Sequence, residues 1–509
     1  MSSGLDIKKI AMIGCGSMGG GMALLFAENG VEVSLQDPSV EAMDLVIETA
    51  KKDEIPPERL KKYTDYESLC KSLDSPKVFF FSLPHGSVGD TVLDGLTPYL
   101  KKNDIIIDAG NEHFTNTERR QGKCATRGIR YVGMGVSGGY QAARQGPSMC
   151  PGGDDSTLDQ VMPLLEMAAA KDEKGRPCVG KAGTGGSGHY IKMVHNGIEH
   201  GMMCAISEAW QIMNVGLGMN YEDIGGVFDA WNKDGPLRNT FLISIGALIC
   251  RTHSSDYTHE EKGKKDDHVL ALVQDKVVQD VTGEEGTGIW SNTEAVTEHV
   301  PAPTLTEAHY LRLASSNRDA RIKAREVMKA DFDPRPLKLE GEEKDKFIED
   351  LRTATYLACL CSYIQGINII EQADKHNMWN IDYAAVLQIW AAGCIIQADY
   401  IADLLRPEFD DYQNQKSMNL LFNETVAKEI KEGVPSLRRV CAKGTESDHV
   451  IPALSATLEY IKFMTNTSLP TSFYEAELDF FGKHMFDIKG EAGTGGPTEG
   501  KHHYEWRPA

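Results

Sequence analysis

Long hydrophobic runs are missing from this chain. Its dense apolar stretches, such as residues 78–81 and 105–107, fall far short of the roughly 20 residues that an apolar helix needs to cross a bilayer, so no membrane association is expected. Residues 1–9 hold no apolar segment of the kind a secretory signal carries, and export is not expected either. Cysteine pairing is missing too. Eleven cysteines are scattered without a repeated spacing, the closest two (Cys359 and Cys361) are not a C-x-x-C, and no His/Cys group has zinc-ligand spacing. Reduced thiols in a cytoplasmic protein are the expectation. Positive charge is scarce: 53 Lys and Arg stand against 74 Asp and Glu, a formal net charge of −21. Such a surface repels the phosphates of a nucleic acid, which disfavours that partner, and any anionic small molecule must then be met by locally placed cations.

What is present is the material of a soluble globular protein, 41% hydrophobic and 25% charged over 509 residues, too long for a single ordinary core. Short β-branched and apolar runs at residues 10–13, 31–35, 78–81, 104–107 and 131–134 read as buried parallel strands, with helical pattern between them at 20–29 and 87–100. That alternation predicts an α/β, Rossmann-type doubly wound domain over residues 1–185. From residue 186 the strand signal nearly vanishes and amphipathic stretches at 192–213, 241–249, 308–329, 346–373 and 383–405 predict a large all-α domain to residue 466. Two loosely similar halves, each a Gly-interrupted helix followed by a Trp-led one (Gly197 then Trp231, Gly366 then Trp390), suggest internal duplication. Residues 253–267 read as a charged loop insertion. Residues 467–509 form an extended C-terminal tail, and its Gly-, His- and Pro-rich end is expected to be disordered or ordered on another subunit.

The first strand is followed by Gly14-Cys15-Gly16-Ser17-Met18-Gly19 at the opening of a helix. In such a turn the first Gly allows the bend, the second lets backbone N–H groups approach a pyrophosphate, and the third permits close helix–sheet packing, with the helix N-terminus facing the phosphates. An acidic residue, Asp37, ends the second strand, the position of a carboxylate that accepts from both ribose hydroxyls of NAD and repels the added phosphate of NADP. NAD is therefore favoured over NADP. The alternative is that Asp37 only caps the next helix, with Pro38 at its first position. The loops Ser82-Leu83-Pro84-His85-Gly86 and Asp108-Ala109-Gly110-Asn111 lie at the carboxyl edge of the same sheet, where the nicotinamide ribose should rest.

Chemistry concentrates in one helical segment. Lys192, His195, Asn196 and Glu199 fall at i, i+3, i+4 and i+7, one polar stripe on a helix whose opposite positions, Ile191, Val194 and Ile198, face a core. The stripe lines a cleft, or else it is a solvated face held by a Lys192–Glu199 pair. Hydride leaves a secondary alcohol only when the hydroxyl proton is removed, and a lysine made neutral by burial takes that proton. If the alcohol is β to a carboxylate, the product is a β-keto acid that loses carbon dioxide, and a protonated Glu199 can deliver a proton to the resulting enol. His195 and Asn196 suit the substrate hydroxyls. Gly135-Val136-Ser137-Gly138-Gly139, after another strand, is either a backbone nest for a carboxylate or a plain turn.

The chain resembles the decarboxylating 6-phosphogluconate dehydrogenase family. The matching runs are Val136–Gly139, Gly146-Pro147-Ser148-Met149 with Pro151-Gly152-Gly153, the stripe from Lys192 to Glu199, Gly286-Thr287-Gly288 with Trp290, Gly393-Cys394-Ile395-Ile396, and Phe481-Gly482 with His484. The resemblance implies oxidative decarboxylation of 6-phosphogluconate or a closely related aldonate to a pentulose and carbon dioxide, by a homodimer whose tail threads through its partner, with no metal. It implies Lys192 as general base, Glu199 as general acid, and Asn111, Ser137, Gly138, Gly139, His195 and Asn196 near the sugar acid or nicotinamide. Asp37-Pro38-Ser39 stands where the family usually has Asn-Arg-Thr, which again points to NAD. The phosphate end also departs from the family. His200 replaces a usual Tyr, Glu285 a usual Lys and Leu478 a usual Arg, while Thr287, Arg312 and His484 remain. Exchanging Lys for Glu beside a dianion reverses a local attraction. A different, unphosphorylated aldonate is thus the second substrate expectation, unless Lys262, Lys264 and Lys265 of the insertion supply the missing charge. A β-hydroxyacid dehydrogenase that keeps the carboxyl group, and a nucleotide-binding paralogue without catalysis, are the remaining alternatives.

Overall fold

The computed structural model describes residues 4–255, 267–282, 286–329, 331–410, 419–490 and 500–507. The chain forms two compact units, residues 1–457 and 458–509. The first opens with seven strands: β1 Lys9–Ile13, β2 Glu32–Gln36, β3 Leu60–Lys62, β4 Val78–Phe81, β5 Ile105–Asp108, β6 Arg130–Ser137 and β7 Ser148–Gly152. They make one sheet in the order β3-β2-β1-β4-β5-β6-β7, parallel throughout except for the antiparallel β6–β7 pair. The apolar runs are unbroken because both faces are covered: Ile10, Met12, Phe80, Ile105 and Ile107 pack into one cluster, and Ala11, Ile13, Phe79, Phe81 and Ile106 into the other. The order reverses between β1 and β4, and a crevice at the carboxyl ends of those strands is the natural seat of a dinucleotide.

β3 and β7 were not among the expected strands. β3 is a three-residue edge with Lys61 and Lys62 exposed, and β7 carries Pro151, which a sheet tolerates at its edge. β7 turns back antiparallel to β6 and so brings Ser148 opposite Ser137.

The helical region follows. The helix Ser187–Gln211 lies across β6 and β7 at a distance only glycine permits. A Cβ at Gly135 would collide with Lys192 Cβ, one at Gly188 with the carbonyl oxygens of Gly133 and Cys150, and one at Gly152 would meet Ser187 Oγ at 2.5 Å. The 37-residue helix Gly341–Asn377 packs on the same helix at Gly366, where an added Cβ would lie 2.5 Å from Ile198. This helix is long and apolar enough to span a bilayer, yet 89% of its apolar window is buried inside the protein, which makes it a core helix. Two expected helices are each broken. Residues 308–329 split at Asn317 into Pro303–Ser316 and Arg318–Met328. Residues 383–405 split into Tyr383–Ile389 and Asp399–Asp410, because Gly393 takes φ +67° and its carbonyl accepts from Ser148 N at 3.0 Å, tying the connection to the sheet edge.

In the second unit, the described end of the tail is tied to the unit's own helix Thr471–Gly482. Asp479 accepts from the backbone N–H groups of Met485 and Tyr504 and from the indole of Trp506, and its carboxylate pairs with His503 at 3.0 Å.

Candidate active site

The glycine-rich turn joins β1 to the helix Ser17–Glu28. Gly14 has φ +92°, and a side chain there would strike the carbonyl of Ser82. A Cβ at Gly19 would strike the Gly14 carbonyl, while at Gly16 nothing lies within 4 Å. Two glycines thus exist for close packing, and the middle one borders open space above a helix N-terminus that carries no side-chain cap, the arrangement that receives a pyrophosphate. Ser17 is exposed beside it and Met18 half-buried. Asp37 is half-buried after β2. Its Oδ2 accepts from Cys15 N at 2.7 Å and its Oδ1 from Ser39 N at 2.8 Å. The cap of the next helix is Ser39, whose hydroxyl accepts from Ala42 N at 3.1 Å, so Asp37 is not that helix's cap and Pro38 is not its first residue.

Lys192 sits on Ser187–Gln211 with 8% of its surface exposed, which excludes a solvated face. Burial pulls its amine below the ordinary 10.5, and the Glu199 carboxylate opposes that shift. The amine lies 3.5 Å from His195 Nδ1. Burial, and then the Lys192 charge, hold the His195 ring well below its usual range, so the imidazole is neutral. Asn196 donates from Nδ2 to Thr287 Oγ1 at 2.8 Å, which turns its Oδ1 toward His195 Nδ1 at 3.0 Å. The network therefore places the proton on Nδ1, and Nε2 accepts from the Ser137 hydroxyl at 3.0 Å. Glu199 Oε2 lies 3.8 Å from the same Nδ1, on a side chain 21% exposed. One buried imidazole thus connects Lys192, Asn196, Glu199 and Ser137. Gly138 follows Ser137 at φ +112°, where a Cβ would collide with the Gly393 carbonyl, and Gly139, at φ +69°, borders open space.

A support for the site that the sequence reading did not single out is Arg120. Its guanidinium is fully buried. It donates to Asp90, to Glu112 Oε2 at 2.8 Å, to Asp108 Oδ2 at 3.4 Å and to the Gly86 carbonyl at 2.6 Å. Glu112 Oε2 also accepts from Gly86 N, and Tyr131 donates to Asp108. One side chain therefore clamps the loop of Ser82, Leu83, Pro84 and Gly86 to the loop that displays exposed Asn111. The signal was an excess of carboxylates, Asp90, Asp108 and Glu112, that needed a common cation. His85 and His113 each meet Trp290 edge-on at 5.1 Å between ring centroids, so the helix Thr287–Thr297 closes over the same loops.

Two family models cover nearly the whole chain: the NAD binding domain of 6-phosphogluconate dehydrogenase over residues 9–183, and the 6-phosphogluconate dehydrogenase C-terminal domain over residues 188–506. The decarboxylating 6-phosphogluconate dehydrogenase of Emericella nidulans is 45% identical over 97% of this chain and 100% of its own, and the Arabidopsis thaliana decarboxylating enzyme 2 is 36% identical over 98% and 97%. The chain belongs to the 6-phosphogluconate dehydrogenase family. The Plasmodium falciparum 6-phosphogluconate dehydrogenase structure superposes with a TM-score of 0.83 at 30% identity, covering 95% of this chain and 98% of that one; it is described in apo form, with its cofactor NADP+ and with its substrate 6-phosphogluconate. As a member of this family the chain is an oxidoreductase with a nicotinamide cofactor.

The phosphate end expected from the resemblance begins at His200, the residue after Glu199. His200 is buried against Arg312 NH1, and burial, the Arg312 charge and then His309 push its ring down to about 3, so it is neutral at ordinary pH. Arg312 also donates to Asp280 at 3.1 Å and to Gln279 at 3.4 Å. Thr287, expected here, belongs to the Asn196 contact. Glu285 and the lysines at 262, 264 and 265 lie outside the described residues. His484 and Leu478 belong to the second unit, where Phe481 packs on His484 at 6.0 Å.

Proposed function

We propose that this chain oxidises 6-phosphogluconate at the hydroxyl β to its carboxylate, with hydride passing to NAD, and that the β-keto acid then loses carbon dioxide to give a pentulose phosphate. The observation that carries the assignment is the buried amine of Lys192, lowered by desolvation and in contact with a neutral His195. Lys192 takes the hydroxyl proton as hydride leaves. As carbon dioxide leaves, the protonated Lys192 returns its proton to the carbonyl oxygen and an enol forms; Glu199, in its protonated form, then gives a proton to carbon while Lys192 takes the enol hydroxyl proton. Ser137, His195 and Asn196 orient the sugar hydroxyls, and the N–H groups at Gly138 and Gly139 hold the carboxylate. Asp37 supports NAD over NADP, because a carboxylate fixed at the end of β2 accepts from a ribose diol and repels a phosphate.

One observation favours a second substrate. Arg312, the cation of the family's phosphate end found among the described residues, is already engaged by the buried carboxylate of Asp280. A phosphate would have to compete with that pair, which supports an unphosphorylated aldonate. Initial rates with 6-phosphogluconate, gluconate and other aldonates, with carbon dioxide counted against NADH formed, test both readings. Equal stoichiometry with a strong preference for 6-phosphogluconate establishes the first reading. NADH without carbon dioxide overturns decarboxylation.

A homodimer is part of the proposal. The second unit exposes 72% of Phe473 and 71% of Phe481, apolar surface of the kind a partner covers. None of the eleven cysteines forms a disulfide, in keeping with a cytoplasmic location.

A further inference from the structure

The ends of the insertion at residues 253–267 meet in a short antiparallel ladder. Ser254 N donates to the Asp267 carbonyl and Val269 N to the Thr252 carbonyl, each at 2.9 Å, and His253 pairs with His268 between them. That makes His253 and His268 a non-hydrogen-bonded cross-strand pair, the register in which facing side chains approach most closely and project from one face. Their rings do so, with centroids 4.1 Å apart and planes at 41°. Glu222 reaches the pair from the first turn of the helix Tyr221–Lys233, whose Tyr221 ring meets His268 edge-on at 5.1 Å. One ligand-capable atom from each of Glu222, His253 and His268 lies within 4.8 Å of the others, and among the described residues no other such group of three occurs. His268 Nδ1 is buried with no hydrogen-bond partner among the described residues.

From this geometry we infer that Glu222, His253 and His268 form a binding site for a divalent transition cation of the zinc class, a clip that fastens the base of the insertion to the helix Tyr221–Lys233. Two imidazoles and a carboxylate are a zinc-type donor set, with water completing four-coordination at metal–ligand distances of about 2.0–2.2 Å. Magnesium and calcium, which prefer oxygen ligands throughout, are disfavoured. A metal also resolves the polar problem of the pair. A buried ring nitrogen without a partner, as at His268 Nδ1, is costly, whereas a cation takes a lone pair from each ring. The competing charge is Arg251, whose Nε stands 3.6 Å from Glu222 and which also pairs with Asp229; metal binding must loosen its hold on Glu222. The sequence conceals the site because the insertion separates its two histidines. The ion assigned here is structural, and the proposal is independent of the catalytic reading.

The test is equilibrium dialysis of the purified full-length protein, stripped with EDTA, against zinc chloride. The expected result is one zinc per chain that His253→Ala/His268→Ala loses. Zinc should raise Tm in the parent protein and not in the double variant, with NADH-forming activity retained in both. If the double variant fails to fold, Glu222→Gln serves instead, with zinc affinity reduced at least tenfold. A parent protein that takes up no zinc, or a folded double variant that takes up as much as the parent, overturns the site.

Discussion

Replacing Lys192 by Met tests the general base with the least disturbance to packing. Met keeps the length and the apolar stem that lies against Gly135 and removes only the amine. General-base catalysis contributes about 10²–10⁴-fold, which is roughly 3–5 kcal/mol of barrier at about 1.36 kcal/mol per tenfold. Stability should move the other way. The folded-state value of Lys192 lies below 10.5, so the protein disfavours the charged amine, and that penalty builds as pH falls from 10.5 toward the folded value and is constant below it. Met escapes the penalty, and what it abandons is a long 3.5 Å contact with His195 and the attraction of the Glu199 carboxylate, which is outweighed by desolvation. The expected outcome is kcat lowered by two to four orders of magnitude with Tm unchanged or raised. Lys192→Arg separates base from charge. A guanidinium cannot give up its proton, so the variant should be as inactive as Met but less stable, with an unpaired cation in a buried site. The pH profile gives a third readout, because the acidic limb of kcat/KM should have its midpoint below 10.5 in the parent and vanish in both variants. Steady-state NADH formation and thermal unfolding suffice. More than a tenth of parental kcat in the Met variant, or a Tm that falls in step with activity, refutes the assignment.

Arg120→Met should cost about 3–5 kcal/mol in thermal or urea unfolding, because Asp108 and Glu112 are left as buried carboxylates without their cation, and KM for the dinucleotide should rise as the two loops separate. Asp37→Ala should weaken NAD by about 1.5–3 kcal/mol, the worth of hydrogen bonds to a charged acceptor, and relax discrimination against NADP; an unchanged ratio of kcat/KM for the two cofactors would contradict the role given to this carboxylate. Gly135→Ala should destabilise by about 1–3 kcal/mol through overpacking against Lys192 and lower kcat more than it changes KM, since the displaced group is the base. Wild-type stability with full kcat would show that the helix does not need its present depth on the sheet.

How much of this was legible in the sequence follows from how each feature is encoded. The strands β1, β4 and β5 were readable because burial on both faces demands unbroken apolar runs, and β2 and β6 because they keep β-branched or apolar residues at their core positions; β3 was not, because it is three residues long with two exposed lysines, and β7 was not, because its outer edge is completed by irregular chain at residues 178–183. The stripe from Lys192 to Glu199 was readable because a single helix carries it, so helical periodicity alone puts the four groups on one side. What periodicity cannot show is which side is buried. That depends on Gly133, Gly135, Gly152 and Gly188, and a missing Cβ has no meaning until the opposing backbone is in place. Arg120 was hidden for the same reason, since its partners come from two separate segments, residues 86–90 and 108–112, and one of them is a carbonyl. The breaks at Asn317 and Gly393 overrode a good helical pattern. At Gly393 the cause is a hydrogen bond to Ser148, hundreds of positions earlier, which holds the connection beside Gly138 in place of another helical turn. The reagents of this site are thus local in sequence while the depth at which they are held is not, and it is that depth, through desolvation, that turns an ordinary lysine into a base. A change among the supporting glycines should therefore shift the acidic limb of the Lys192 pH profile toward 10.5 without touching any group that contacts the substrate.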